Sequence, residues 1–183
     1  MKLRIISGKH RGKKFDYPDT SITRPTKDRV KEAVFSMMQP YLRGAVVLDL
    51  FGGSGALSFE AVSRGAMKSI LIEKNSIPMK VIKSNILQMD IKNVEPINID
   101  CLKYLEKSDG LKFDLILFDP PFKDYNVLNK ALNLCAEKQL LQNLGHILIE
   151  TDDDTKIKIP SKYIEIKRKK YGRSIILLIS NNI

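Results

Sequence analysis

Short apolar runs alternate with longer stretches of helical spacing from residue 40 onward. The runs are rich in Val, Ile, Leu and Phe and have the length of buried strands, at residues 46–51, 69–72, 94–97, 113–118 and 146–149. Stretches of helical length lie between them, among them residues 55–64, 76–89 and 125–139. Because a strand, a helix and a further strand form a parallel unit, the alternation predicts an α/β fold. Its sheet should be mostly parallel and covered by helices on both faces.

Both ends of the chain are basic and depart from this alternation. The first fourteen residues carry six Lys or Arg and no acid, and residues 156–173 carry eight against one acid. A Gly8–Gly12 turn between residues 3–7 and 13–17 predicts a basic N-terminal hairpin. A turn at residues 171–173 predicts an antiparallel strand pair at the C-terminus. We therefore expect one domain over residues 1–183, with a hairpin extension at 1–25 and an α/β core at 26–183.

A helix is predicted to start at position 26. Thr26 is a suitable cap, Pro25 precedes it, and Asp28 falls in the first turn. The apolar residues that follow form one helical stripe, made of Val30, Ala33, Val34, Met37 and Met38. This stripe predicts a helix that packs against the core.

Composition excludes several classes of protein. The 183 residues are 43% hydrophobic and 28% charged, as in ordinary globular domains, and the longest apolar run near either end, residues 175–179, is too short to span a bilayer. We expect a cytoplasmic protein. Two Cys, 34 positions apart, and two His give no zinc motif and no Ser-His-Asp triad, so no metal is expected. The net charge of +10 favours a nucleic acid partner, although a solvated surface would explain it too.

The first predicted strand runs into a glycine-rich turn, Asp49-Leu-Phe-Gly52-Gly53-Ser54-Gly55. Small residues at this edge let a backbone approach a ligand, although a tight strand-to-helix connection would also use them. A dinucleotide motif would need glycine at position 58, which is Ser58, and no P-loop lysine follows Gly55. An adenosine ligand without a pyrophosphate fits better, and S-adenosylmethionine is the common one.

Acids after the next two strands support this prediction. Glu73 ends the second strand, where an acid accepts hydrogen bonds from ribose hydroxyls. Asp100 and Cys101 follow the third strand, where the base of a nucleoside would reach. The predicted cofactor-binding residues are Asp49, Gly53, Ser54, Gly55, Glu73, Asp100 and Cys101.

The fourth strand ends in Asp119-Pro120-Pro121-Phe122. Two prolines remove two backbone donors and leave an acceptor-rich rim, formed by the Asp119 carboxylate and the Pro120 carbonyl. Such a rim can hold both hydrogens of an exocyclic amine and direct its lone pair at a methyl donor, while Phe122 stacks on the base. A stiff turn with a buried Phe is the alternative. We predict Asp119, Pro120, Pro121 and Phe122 as catalytic residues.

Together these motifs resemble a class I S-adenosylmethionine-dependent methyltransferase with a Rossmann-like sheet. Residues 6–13, residues 24–35 and the turn at Lys170-Tyr-Gly-Arg173 resemble the RsmD family, which methylates the exocyclic N2 amine of a guanine in bacterial small-subunit (16S) ribosomal RNA. The resemblance covers nearly the whole chain. It implies ribosomal RNA, or the assembling small subunit, as the partner. We expect the protein to be a monomer. Candidate RNA contacts are Arg11, Lys13, Arg24 and Arg29.

Two departures and three alternatives accompany the resemblance. His10 stands where family members often have an aromatic residue, and Gly52 replaces a more usual alanine, which should loosen the turn slightly. Asp-Pro-Pro-aromatic turns also suit adenine-N6 or glutamine-amide methyltransferases, and a non-catalytic RNA-binding or assembly protein could retain the fold. The prediction is a methyltransferase acting on guanine N2, with Gly53 and Asp119 facing one cleft.

Overall fold

The computed structural model describes residues 1–19, 28–121 and 124–183. The strands are β1 (Lys2–Arg4), β2 (Lys14–Asp16), β3 (Val46–Asp49), β4 (Lys68–Ile72), β5 (Val94–Ile97), β6 (Phe113–Phe118), β7 (Leu141–Thr151), β8 (Tyr163–Tyr171) and β9 (Ser174–Asn181). The helices are α1 (Asp28–Leu42), α2 (Ala56–Ser63), α3 (Ser76–Met89), α4 (Cys101–Glu106) and α5 (Tyr125–Glu137), with a 3-10 turn at Asp154–Lys156.

The described residues form one seven-stranded sheet in the order β5-β4-β3-β6-β7-β9-β8. Strands β5, β4, β3, β6 and β7 are parallel, whereas β9 runs antiparallel to both β7 and β8. Strands β1 and β2 make a separate antiparallel hairpin. The predicted fold class, including the hairpin and the C-terminal antiparallel pair, is confirmed. The parallel order also brings the carboxyl ends of β3, β4, β5, β6 and β7 to one edge.

Helices cover both faces of the sheet. One core lies under α1, α2 and α3, and the other lies under α4 and α5. The spacing of Leu128, Ala131, Leu132 and Cys135 places all four on the buried side of α5, as predicted. No described helix combines the length and the apolar character needed to span a bilayer.

Helix α1 buries more than the predicted stripe. Val30, Val34 and Met38 are buried as expected, but Phe35 and Lys31 are buried too. The predicted cap, Thr26, and the preceding Pro25 lie outside the described residues. Helix α4 was not predicted, because six residues are too few to show a helical period. Its start is marked by Asp100, whose carboxylate accepts from the backbone N–H groups of Leu102 and Lys103.

The N-terminal hairpin is anchored to α2 through a buried carboxylate. Glu60 is fully buried and accepts the backbone N–H groups of Ile6 at 2.9 Å and Ser7 at 3.0 Å. Its carboxylate also pairs with Arg64 at 2.8 Å and with the buried amine of Lys31 at 3.7 Å. Several polar groups in the hairpin and the helices therefore share this one carboxylate, which holds the hairpin against α1 and α2.

Candidate active site

A cavity of about 1150 Å³ opens at the carboxyl edge of the parallel strands. It exceeds the roughly 300–1,000 Å³ of a typical small-molecule site, so a cofactor and part of a second substrate fit together. The predicted site residues on its wall are Arg29, Gly53, Ser54, Glu73, Asp100, Cys101, Asp119, Pro120 and Pro121. The ends of β3 and β6 therefore face one cavity, as the parallel topology requires.

Glu73 joins the end of β4 to the glycine turn after β3. Its carboxylate accepts the backbone N–H of Gly53 at 2.9 Å through one oxygen and that of Asn75 at 2.7 Å through the other. A carboxylate has about four lone-pair sites, so acceptor capacity remains for a ligand hydroxyl on each oxygen. Gly53 has a φ of 54°, a conformation that favours glycine. The turn and the acid form a cradle suited to a ribose with two hydroxyls.

Asp49 is not among the residues that line this cavity, and its contact with the cofactor stays a prediction. Its side chain is fully buried, and Oδ2 accepts the Ser58 hydroxyl at 2.8 Å. Oδ1 has no hydrogen-bond partner among the described residues. Burial raises the pKa of Asp49 to about 6, against the opposing effect of the Ser58 hydrogen bond. Asp49 therefore links the end of β3 to α2 through its hydrogen bond with Ser58.

Gly55 is likewise a supporting residue and is absent from the cavity wall. It precedes α2 with a φ of 82°, and its backbone N–H donates to the Gly52 carbonyl at 2.7 Å. A β-carbon at this position would lie 2.8 Å from the ring of Phe59. The glycine is needed because the turn packs directly on the helix, and this requirement is distinct from ligand contact.

Gly52 packs closely against the end of β4, and the slight loosening of the turn stays a prediction. Its backbone N–H donates to the Ile72 carbonyl at 2.7 Å. A β-carbon there would lie only 2.4 Å from Cδ2 of the buried Leu71. An alanine would require Leu71 to move, so Gly52 and Leu71 are a matched pair in this chain.

Asp100 and Cys101 lie on the wall where β5 leads into α4. Asp100 is half-buried and caps the helix, so its carboxylate is held in place at the cavity. Burial raises the pKa of Cys101 to about 12, with a further contribution from Asp100. The thiol is therefore neutral at physiological pH and offers an apolar contact surface instead of a nucleophile.

The ends of β6 and β7 contribute polar groups that sequence reasoning missed. Asp119, Pro120 and Pro121 line the cavity, whereas Phe122 lies outside the described residues. The unpredicted members of this wall include Asp124, Tyr125, Glu150, Thr151 and Asp152. The acids that directly follow the last parallel strand were the available signal, because parallel strands deliver such residues to one edge.

Tyr125 links α5 to this second wall. Its hydroxyl donates to the Asp152 carboxylate and lies 3.2 Å from the Thr151 hydroxyl. Burial and the Asp152 contact raise the pKa of Tyr125, so the phenol stays protonated. The phenol and the Asp152 carboxylate thus brace the loop after β7 against the start of α5.

The mouth of the cavity is basic on one side. Arg29 from α1 and Lys170, Tyr171 and Arg173 from the β8–β9 turn all line it. Lys170 and Arg173 are exposed, and neither forms an ion pair with any described residue. The sequence predicts a basic segment and a turn here, and the structure places Lys170 and Arg173 of this turn at the cavity.

Two of the other predicted RNA contacts, Arg11 and Lys13, lie away from the cavity. Arg24 is outside the described residues. Arg11 is exposed on the hairpin turn, and the amine of Lys13 donates to the Met89 carbonyl at 2.5 Å. Helices that connect parallel strands run back from the carboxyl edge, so the end of α3 marks the amino edge of the sheet. Arg11 and Lys13 are therefore not part of the cavity, and RNA contact there stays a prediction.

The sheet order and the cavity at its carboxyl edge define the class as the class I methyltransferases. A solved structure from Escherichia coli, named putative methyltransferase yhhF, superposes with a TM-score of 0.90 at 28% identity, covering 99% of this chain and 98% of that one. The putative methylase HI0767 from Haemophilus influenzae gives a TM-score of 0.82 at 32% identity, with 99% of both chains covered.

The family follows from the sequence comparisons. The profile of the family described as Conserved hypothetical protein 95 matches residues 3–180. Ribosomal RNA small subunit methyltransferase D of Haemophilus influenzae is 34% identical over 174 residues, which are 93% of this chain and 90% of that protein. The protein of that name from Buchnera aphidicola is 33% identical over 168 residues, 92% of this chain and 87% of its own. The chain belongs to this family, the RsmD family, and that prediction is confirmed.

Proposed function

We propose that this protein transfers a methyl group from S-adenosylmethionine to the exocyclic N2 amine of a guanine in small-subunit ribosomal RNA. The observation that carries the proposal is that the glycine turn and the Asp119-Pro120 rim line one cavity. The names of its relatives support the RNA substrate. We propose further that it acts as a monomer in the cytoplasm, on free RNA or on the assembling subunit, and without a metal.

The residues present fit the cofactor. Glu73, held by the backbone amides of Gly53 and Asn75, would accept the ribose hydroxyls, and Gly53 and Ser54 would lie against the methionine part. Asp100 would accept the adenine amine beside the apolar face of Cys101. When bound, S-adenosylmethionine supplies an already activated methyl group on a sulfonium, which leaves positioning as the main task of the protein.

The Asp119-Pro120 rim prepares the nucleophile. An exocyclic amine is a weak nucleophile because its lone pair is delocalised into the ring. The Asp119 carboxylate and the Pro120 carbonyl would each accept one of its hydrogens, and the two prolines offer no competing backbone donor. This contact favours a tetrahedral nitrogen whose lone pair is free to react. After alkylation the nitrogen carries excess positive charge, and the Asp119 carboxylate is placed to receive the released proton.

The basic mouth fits the RNA around the target base. A base reaches such a cavity only when it is splayed from its stack, which is easiest in a loop. Arg29, Lys170 and Arg173 would then meet the flanking phosphates, and Tyr171 offers an aromatic face. Phe122 and Arg24 stay predicted as the stacking residue and a further RNA contact.

The product of methylation tests this function. Small ribosomal subunits, or naked RNA, from cells lacking the enzyme are incubated with labelled S-adenosylmethionine and digested to nucleosides. We expect labelled N2-methylguanosine. Labelled N6-methyladenosine would instead identify an adenine methyltransferase, and label in a glutamine side chain would identify a protein substrate. RNA binding without any incorporation would identify a non-catalytic RNA-binding protein.

A second test isolates the Asp119-Pro120 rim. Asp119→Ala should lower kcat by roughly 100- to 1000-fold, because it removes an acceptor that acts on the reacting amine. Asp119→Asn, which keeps one amide oxygen, should fall between this variant and the wild type. The Kd for S-adenosylmethionine should be unchanged in both. Asp109→Ala, at an exposed ion pair with Lys138, is the matched control. Loss of cofactor binding in Asp119→Ala would contradict the assignment.

A further inference from the structure

The register of the sheet places a second carboxylate beside Asp119. Phe118 of β6 pairs with Ile149 of β7 in parallel register. Asp119 follows Phe118, and Glu150 follows Ile149 on the neighbouring strand. Both residues line the cavity. Neighbouring strands lie about 4.8 Å apart, so the two residues start side by side at the carboxyl edge.

The direction of the Glu150 side chain follows from the alternation of β7. Leu148, two positions earlier, packs in the core on the α1 side, and so does Leu117 of β6. Side chains two positions apart on a strand share a face, so Glu150 points to the α1 side. Its antiparallel partner is Ile176, which is fully buried in that same core. The Glu150 carboxylate therefore lies on the α1 side of the sheet, where this core borders the cavity.

Two other acids line this wall, and each contacts the start of α5. Asp124 caps α5 by accepting the Val127 backbone N–H, and Asp152 accepts the Tyr125 hydroxyl. Asp152 is also exposed, whereas Glu150 is half-buried. Glu150 is thus the acid of this wall that is nearest to Asp119 in the register and faces the α1 side.

Two neighbouring carboxylates can distinguish guanine from adenine by the Watson–Crick edge of the base. On the Watson–Crick edge of guanine, the N2 amine lies next to N1–H, which is a second donor. In adenine the amine lies next to an N1 that carries a lone pair and no hydrogen. A carboxylate at that point accepts a hydrogen bond from guanine and repels the adenine lone pair.

We propose that Glu150 determines the base specificity of the enzyme by accepting N1–H of the guanine whose amine is held by Asp119 and Pro120. The inference rests on the proposed function and deepens it, because it assigns the choice of guanine to a residue outside the Asp-Pro-Pro motif. A carboxylate that accepts a substrate N–H repels the lone pair of an analogue lacking that N–H, so the site discriminates against the analogue.

The test compares guanine with 2-aminopurine at the target position. 2-Aminopurine keeps the amine at C2 but has an unprotonated N1. The position is first mapped by methylation with the wild type, and ribosomal RNA carrying either base there is then made by ligating a synthetic oligonucleotide. The variant is Glu150→Gln, which is nearly isosteric and can donate its amide N–H to an N1 lone pair. The matched control is Glu137→Gln, an exposed residue at the end of α5.

We expect the wild type and Glu137→Gln to prefer guanine in kcat/KM by at least roughly 100-fold. Glu150→Gln should lose roughly 10- to 100-fold on guanine and little on 2-aminopurine, which narrows the preference to within about tenfold. The missing O6 of 2-aminopurine affects all enzymes alike, so the change in preference reports on N1. An unchanged Kd for S-adenosylmethionine shows that the variant is folded.

The outcomes separate this inference from the function it rests on. Labelled N2-methylguanosine from the wild type, together with an unchanged preference in Glu150→Gln, would overturn the role of Glu150 and leave the proposed function standing. Absence of methylguanosine from the wild type would overturn both. A Glu150→Gln protein that no longer binds S-adenosylmethionine would show a structural role for Glu150 and would also overturn the inference.

Discussion

The N-terminal hairpin and the β8–β9 turn are both basic, yet the structure uses them differently. In the hairpin, Lys2 pairs with Asp16, Arg4 pairs with Asp28, and the Lys13 amine is bonded to a helix carbonyl. In the β8–β9 turn, Lys170 and Arg173 line the cavity and form no ion pair within the described part of the chain. These hairpin charges contact the hairpin itself or the adjoining helices, whereas the turn charges face the site.

This difference shows that position relative to the strand ends decides what a basic residue can do. The hairpin turn docks on the end of α2, where the Lys9 backbone N–H donates to the Ser63 carbonyl at 2.8 Å. That end lies at the amino edge of the sheet. The β8–β9 turn lies at the carboxyl edge, because β9 runs antiparallel to β7. Exposed hairpin residues such as Arg11 can reach RNA only on a second surface.

The largest expected effect is a loss of stability when the buried acid that holds the hairpin, Glu60 of α2, is removed. Glu165, an exposed acid of β8, is the comparison. Glu60→Ala should lower the free energy of unfolding by about 3–5 kcal/mol, because it removes the buried carboxylate that pairs with Lys31 and accepts two hairpin amides. Glu165→Ala, which removes the exposed partner of Arg168, should cost less than about 1 kcal/mol. Urea denaturation measures both. If both variants lost similarly little unfolding free energy, the hairpin would not depend on Glu60.

A smaller effect is expected for RNA binding. Lys170→Ala with Arg173→Ala should weaken RNA binding roughly tenfold, since each exposed cation contributes up to about 1 kcal/mol. The slope of log Kd against log salt should fall by about 2, because the double variant leaves two phosphates without a cation. Fluorescence anisotropy at several salt concentrations measures both quantities.

Arg168→Ala is the matched control for this pair. Arg168 lies on the same strand but pairs with Glu165 and Asp154, so the salt slope should be nearly unchanged. If Arg168→Ala lowered the salt slope as much as the double variant does, RNA would contact β8 along its length and not the turn alone.

The smallest effect is a pH dependence of the hairpin. Burial, followed by Lys13 and Lys9, lowers the pKa of His10, so the folded state disfavours the protonated ring. The stability that His10 contributes is complete above its ordinary pKa of about 6.5 and is lost as pH falls through the lower folded value. Wild type should lose more stability than His10→Gln between pH 7 and pH 5, by less than about 1 kcal/mol. If Tm fell with pH equally in the two proteins, the hairpin would not lower the pKa of His10.

The predictable part of the molecule is the part that local chemistry specifies. The periodicity of residues 125–139 predicts α5, and the run at 113–118 predicts β6 with the same bounds as the structure. The glycine turn and the Asp-Pro-Pro motif were identified from residue types alone. The contact of Asp49 with Ser58 was not predictable, because a carboxylate before such a turn looks the same in sequence whether it faces a ligand or a hydroxyl.

The sequence by itself determined the order of strands and helices, the family and the loops that hold the reactive groups, because these depend on short-range pattern and residue type. The tertiary structure alone decided that Lys31 and Glu60 meet in the interior, that Lys170 faces the cavity, and that Glu150 stands beside Asp119. Phe118 and Ile149 are aligned by the pairing of strands distant in the chain. Such a register arises only when the whole sheet packs, since no local preference encodes it.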